Sequence, residues 1–160
     1  MADIKVDLIA PFIKATHSTF ETMMATSLHR KEIYIKRGFK MFGEISGIIG
    51  LSGPTTGTCA VSLPGEFARR MVSEMLGEEV SGGLESSTVR DGVGEIINMV
   101  TGGAKAKLAK TEHRFDITLP TIIAGYGHEV YHRKGTQCLV VLFETDEQEQ
   151  FTLDLAVRLR

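Results

Sequence analysis

The sequence predicts an α/β or α+β sandwich, in which a mostly antiparallel sheet is covered on one face by long helices. The predicted elements run in the order helix, strands, two helices, strands, which is typical of this layered class. A length of 160 residues with 42% hydrophobic content supports one well-buried core but not two ordinary domains, so we expect residues 1–160 to form a single domain. The Gly53-Pro54 turn between two strand-like runs also indicates a hairpin.

The first part of the chain predicts one helix followed by strands. Apolar residues recur at roughly helical spacing over residues 5–28, with Pro11 as an interruption. The strands that follow are rich in β-branched residues and are bounded by glycine. They are predicted at residues 32–35, 45–51 and 58–63.

Two more helices and a second group of strands complete the prediction. Pro64 is well placed as the first residue of a helix that ends at Leu76, with Gly77 as a left-handed cap. Its inward side chains are expected to be Phe67, Met71, Met75 and Leu76. A longer helix should run from Ser86 or Ser87, both plausible N-caps, to about Lys110. The remaining strands are predicted at residues 115–124, 129–132, 137–143 and 151–159.

The charge distribution argues against several partner classes. The net charge is −2 with acids and bases interspersed, unlike the basic footprint of a nucleic-acid binder or a polybasic membrane anchor. The first seven residues carry acids where a secretory signal has a basic start, and no apolar run is long enough to span a membrane. We therefore expect a cytoplasmic protein with no nucleic-acid or membrane partner. Cys59 and Cys138 lie in apolar strand-like runs, which favours buried, reduced thiols.

The long third helix carries a polar stripe that is the best functional indication in the chain. Asn98 is the only asparagine, and it lies three residues after Glu95. Residues three or four apart share a helix face, so Asp91, Glu95, Asn98 and Gly102 form one outward stripe opposite an apolar one. An amide does not act as a base, but it can orient a water molecule. An ionised glutamate is suited to pairing with a lysine of another protein.

Glycines on or beside this stripe indicate close approach by another backbone. Gly94, Gly102 and Gly103 each cost a helix interior about 1 kcal/mol relative to alanine, so something should compensate for them. A docking surface would do so, and packing against a neighbouring helix is the alternative. An ordinary solvated helix face also explains such a polar stripe, so the pattern alone does not assign a function.

Residues 128–132, His-Glu-Val-Tyr-His, match the zinc-protease pattern letter for letter. That motif requires a helix, on which the two imidazoles lie one turn apart. Gly125, Gly127 and Gly135 bracket the segment and favour a short strand, where residues four apart are separated by about 13 Å. We therefore expect no metal site here.

Several motifs together resemble the CheX branch of the CheC/CheX/FliY phosphatases of bacterial chemotaxis. Asp91, Glu95 and Asn98 match the family pattern of an acid, three residues, Glu, two residues and Asn. Residues 102–105, Gly-Gly-Ala-Lys, resemble the sequence that follows, although Gly103 stands where many relatives have asparagine. Further along the chain, residues 115–121 resemble the family's strand and residues 125–128 resemble its turn. Pro120 lies one residue nearer to Asn98 than in two-site members.

The resemblance implies a CheC-like fold and hydrolysis of the aspartyl phosphate of a CheY-type response regulator. Glu95 would pair with a lysine of the partner and Asn98 would position the attacking water, while Asp91, Gly94 and Gly102 would contact the partner. No cofactor would be bound by this chain, because the phosphorylated partner would carry the Mg²⁺. The family also implies a homodimer joined through its sheets. A first helix without asparagine implies one active site per chain.

Two other functions stay open from the sequence. One is a non-catalytic module that docks a receiver domain without accelerating hydrolysis, against which the intact Glu95 and Asn98 pair argues. The other is a zinc hydrolase, which would require His128 and His132 to lie on a helix.

Overall fold

The computed structural model describes residues 6–159, and within this range three helices cover one face of a seven-stranded antiparallel sheet. The helices are α1 (Val6–Met24), α2 (Gly65–Leu76) and α3 (Ser87–Leu108). The strands are β1 (Leu28–Ile35), β2 (Ile45–Ser52), β3 (Thr55–Leu63), β4 (Asp116–Ile117), β5 (Thr121–Ala124), β6 (Gln137–Thr145) and β7 (Gln150–Leu159). The predicted fold class is confirmed.

Two hairpins joined side by side form the centre of the sheet. The strand order is β1-β6-β7-β3-β2, and β4 and β5 both pair with the outer edge of β2. The predicted hairpin at Gly53-Pro54 is confirmed, because β2 and β3 pair from Ile45 opposite Leu63 to Leu51 opposite Gly57. The second hairpin is β6–β7, and β3 pairs with β7 to join the two.

The hydrophobic core lies between the helices and the sheet, with α3 packed directly on β2. A Cβ atom on Gly47 would lie 3.1 Å from Val93 and 3.2 Å from Ile97, so a glycine at this point lets α3 approach the strand closely. Aromatic rings fill the other end of the core, where Phe151 stacks on both Phe20 and Phe143. The close contact at Gly47 holds α3 against β2.

Helix ends largely follow the sequence signals. Ser86 caps α3 by accepting a hydrogen bond from the Val89 amide at 3.3 Å, and Gly77 closes α2 in the left-handed conformation. Pro64 lies one position outside α2 rather than inside it. Leu76 is 52% exposed, so its predicted inward orientation is wrong. It is the last residue of α2, directly before the Gly77 cap.

Other boundaries differ from the prediction. The first helix ends at Met24, because Ala25 has a positive φ of 48° and the chain then enters β1, which begins at Leu28. The predicted helix start at Lys5 lies outside the described residues. The strand predicted over residues 115–124 is interrupted between Ile117 and Thr121.

The sheet face opposite the helices is crossed by two connections. Residues 36–44 run from β1 at one edge to β2 near the other, and residues 125–136 return from β5 to β6. The connections hydrogen-bond to each other through Met41 N to His128 O (3.0 Å) and Val130 N to Phe39 O (2.9 Å). Residues 129–132 are therefore extended but make only one isolated bridge, at Glu129, so the strand predicted there is wrong. Within residues 6–159, every helix is too short or too polar to cross a membrane.

Candidate functional site on α3

The outward face of α3 carries the polar stripe that the sequence predicts. Asp91 and Glu95 are exposed, and Asn98 and Gly102 are partly exposed. The opposite face is fully buried against the sheet and the neighbouring helices, through Val89, Val93, Ile96, Ile97 and Val100. Since these apolar residues fix the rotation of the helix, the acid and the amide are forced outward.

Glu95 and Asn98 present free functional groups from positions three residues apart on one helix. The side chains of both make no hydrogen bond or ion pair with any residue in the described part of the chain. The backbone carbonyl of Asn98 accepts a hydrogen bond from the hydroxyl of Thr101 at 3.4 Å. Three residues of helix correspond to a rise of about 4.5 Å, so both groups can enter one concave site of another molecule.

The glycines of α3 have different neighbours. A Cβ atom on Gly102 would meet nothing within 4 Å, so this position is open to an approaching partner. On Gly103 it would lie 3.0 Å from the Cβ atom of Ala15, which shows that this glycine serves the packing of α3 on α1. Gly94 is buried, and a Cβ atom there would lie 3.6 Å from Ile122 and 3.7 Å from Pro120. It therefore makes room for the chain's own β5 segment, and its contact with a partner stays a prediction.

The stripe is flanked on both sides. On one side, Met99 and Gly102 border a shallow groove of about 510 Å³ whose other wall is α1, including Ser18 and Thr22. On the other side, Lys105 forms an ion pair at 3.6 Å with Asp116 of β4. Sequence patterns had not indicated the groove, because it is created by the packing of two helices that are distant along the chain.

His128 and His132 lie on the extended connection, so the helical geometry that a zinc-protease motif needs is missing. Protein groups engage both ring nitrogens of His128: Nδ1 lies 2.8 Å from the Gly125 carbonyl, and Nε2 lies 2.7 Å from Ser46 Oγ. Burial lowers the pKa of His132, and the positive charge of Lys36 lowers it further. Among residues 6–159 no three His, Cys, Asp or Glu side chains cluster closely enough to hold a metal ion.

Both cysteines are buried free thiols, as predicted. Burial raises the pKa of Cys138 to about 12, with the charge of Asp154 contributing in the same direction. Burial and the same carboxylate also raise the pKa of Cys59. Neither thiol is therefore suited to act as a nucleophile at neutral pH.

Comparison with known proteins gives consistent matches. The family model described as "Chemotaxis phosphatase CheX" matches residues 45–144. The CheY-P phosphatase CheX of Thermotoga maritima is 28% identical over 111 residues, which cover 69% of this chain and 70% of the relative. The crystal structure of a CheC-like superfamily protein from Shewanella sp. PV-4 is 28% identical, with a TM-score of 0.86 and coverage of 97% and 99% of the two chains. A CheX–CheY–BeF3–Mg²⁺ complex from Borrelia burgdorferi contains a chain that is 26% identical, with a TM-score of 0.75 and coverage of 96% and 99%.

Proposed function

The chain belongs to the CheX family of chemotaxis phosphatases, and on that premise we propose that α3 hydrolyses the aspartyl phosphate of a CheY-type response regulator. The observation that carries the assignment of residues is the pair of free side chains, Glu95 and Asn98, on the outward face of a rigid helix. The complex of the Borrelia burgdorferi relative with CheY supports the class of partner.

Asn98 is proposed to position the attacking water. Its amide enters the partner's site, accepts a hydrogen bond from the water and holds the water oxygen in line with the phosphorus. The new P–O bond forms to the water oxygen as the bond to the aspartate oxygen breaks. The protons of the water stay with the inorganic phosphate or pass to solvent, and the aspartate leaves as the free carboxylate. Asn98 takes no proton in this step, so the catalytic contribution is positioning, as with the glutamine that orients water in GTP hydrolysis.

Glu95 is proposed to pair with a lysine of the response regulator. The carboxylate is exposed and has no partner of its own within residues 6–159, so pairing breaks no existing contact. Asp91 lies one turn before Glu95 and Gly102 lies one turn after Asn98, so these two residues extend the contact at each end. Mg²⁺ belongs to the partner, where it would offset the charge of the phosphoryl oxygens.

We also infer a cytoplasmic homodimer with one active site per chain. The cytoplasmic location follows from the proposed substrate, an intracellular response regulator. Strand β1 forms an edge of the sheet and exposes Ile33, Tyr34 and Ile35, which a second sheet would cover. The outward residues of α1 include Glu21 and Thr22 but no asparagine, so α1 lacks an equivalent of Asn98.

The test is the rate of phosphate loss from a phosphorylated CheY-type receiver, measured with wild-type protein, Asn98→Ala, Glu95→Ala and the control Glu74→Ala. Glu74 is an exposed carboxylate on a different helix, α2. We expect acceleration by wild type and by the control. Loss of Asn98 should reduce turnover by about 100-fold or more, the scale for removing one oriented polar group from an active site. Glu95→Ala should weaken both docking and turnover.

Far-UV circular dichroism and thermal unfolding serve as the folding control. Asn98 is partly exposed and its side chain has no partner among the described residues, so Asn98→Ala should keep the fold and the binding of the receiver. An unfolded Asn98→Ala protein would refute the assignment. If wild type binds several receivers but accelerates none of them, the protein is instead a non-catalytic docking module.

A further inference from the structure

Leu119 is the most exposed of the large hydrophobic side chains in the described chain, with 87% of its surface open to solvent. Single exposed apolar residues are common and need no explanation by themselves. Leu119 differs from an ordinary exposed residue in two respects. Its backbone is held in place on both sides, and it lies beside the proposed catalytic stripe.

Hydrogen bonds and a proline fix the backbone around Leu119. The amide of Thr118 donates to the Gly50 carbonyl at 3.0 Å, and the Gly50 amide donates to the Thr118 hydroxyl at 2.9 Å. That hydroxyl in turn donates to the carbonyl of Leu119 at 3.0 Å. Pro120 follows, and a proline restricts the preceding residue to an extended conformation. The segment therefore presents Leu119 outward at little further entropic cost when it binds.

Residues 116–120 run antiparallel to α3 and bring Leu119 level with Glu95 and Asn98. At one end Asp116 pairs with Lys105, and at the other Pro120 lies 3.7 Å from the position of a Cβ atom on Gly94. At about 100° per residue, Gly94, Asn98 and Lys105 fall within roughly 40° of one another around the helix. Asn98 lies between the two contacts along α3, so the segment that carries Leu119 passes alongside it.

We propose that Leu119 is a binding anchor, which inserts into an apolar depression of the receiver domain next to its phosphorylation site. This inference rests on the proposed function, because the occupant is the same receiver that Glu95 and Asn98 engage. The anchor adds apolar contact area to a face whose other partner-binding side chains, Asp91, Glu95 and Asn98, are charged or polar. Leu119 would make the same contact in the ground state and in the transition state. It would therefore strengthen binding of the receiver without accelerating the chemical step.

The test compares wild type with Leu119→Ala, Leu119→Met and Leu76→Ala. Leu76 is also an exposed leucine, but it lies at the end of α2, away from the stripe. For hydrolysis of the phosphorylated CheY-type receiver, Leu119→Ala should raise KM about tenfold with kcat unchanged, equivalent to about 1.4 kcal/mol of binding. The Kd of the receiver should rise by the same factor. Leu119→Met and Leu76→Ala should stay within about twofold of wild type, because methionine conserves apolar volume.

The outcomes separate the anchor from the phosphatase assignment. An unchanged KM and Kd in Leu119→Ala would overturn the anchor while leaving the function of Asn98 intact, and so would a fall in kcat at unchanged KM. If wild type binds the receiver without accelerating hydrolysis, the phosphatase assignment fails. The Kd comparison then decides the anchor alone: weaker binding by Leu119→Ala supports it, and equal binding overturns it. Absence of any binding to wild type would overturn both.

Discussion

The ion pair between Lys36 and Asp154 should dominate the stability of the sheet face opposite the helices. The side chains are 10% and 5% exposed, and Lys36 Nζ lies 3.0 Å from Asp154 Oδ2. The other carboxylate oxygen, Oδ1, is buried and has no hydrogen-bond partner within residues 6–159. Lys36→Met would therefore leave a buried carboxylate without any counter-charge at this contact.

Breaking such a pair by removing one partner costs about 3–5 kcal/mol. This is a large part of the 5–15 kcal/mol by which a typical domain is stable. For a chain of this size each kcal/mol corresponds to about 2–4 °C, so Lys36→Met should lower Tm by roughly 6–20 °C. Replacing both members with apolar residues, as in Lys36→Met with Asp154→Leu, should recover most of the loss, because no unpaired charge remains.

Thermal unfolding and urea unfolding, both followed by circular dichroism, measure the change in Tm and in the free energy of unfolding. The matched control is Lys31→Met, because Lys31 is 49% exposed and lies 4.0 Å from Glu144. A surface pair of this kind contributes about 0–1 kcal/mol. Equal losses of stability in Lys36→Met and Lys31→Met would contradict the predicted cost of the unpaired buried charge. A double variant as unstable as Lys36→Met would contradict it as well. Phosphatase turnover per folded molecule should be unaffected, since the pair lies on the sheet face opposite α3.

Two further predictions concern glycine packing and thiol reactivity. Gly102→Ala should stabilise folding by about 1 kcal/mol, because alanine has the higher helix propensity and the added Cβ meets nothing within 4 Å. Gly92→Ala should destabilise folding by about 1–3 kcal/mol, because its Cβ would overlap Val72. Equal urea midpoints for the two variants would contradict this prediction. A thiol reagent at pH 8 should modify neither Cys59 nor Cys138 in the native protein, and it should modify both after unfolding. The reason is that burial raises the pKa of each thiol, that of Cys138 to about 12. Rapid labelling of the native protein would contradict this prediction, because it would show that the thiols are accessible.

Signals that act within a few residues were readable from the sequence. The spacing of apolar residues in α3 is enough to bury Val93 and Ile97 and to turn Glu95 and Asn98 outward, since helical periodicity is a property of neighbouring positions. Gly77 likewise marks the end of α2 by its own conformational preference. The predicted polar stripe and most element positions therefore required no knowledge of the tertiary packing.

Tertiary structure decided which of these positions are free to act. Gly94, Gly102 and Gly103 look alike in sequence, but one faces β5, one is open and one packs on α1. The exposure of Leu119 likewise depends on where Thr118 bonds to Gly50, a residue distant along the chain. By itself, then, the sequence determined the fold class and the outward stripe, because local periodicity encodes them. The neighbours that border the stripe are set by contacts between distant segments of the chain. These contacts form only when the whole core packs.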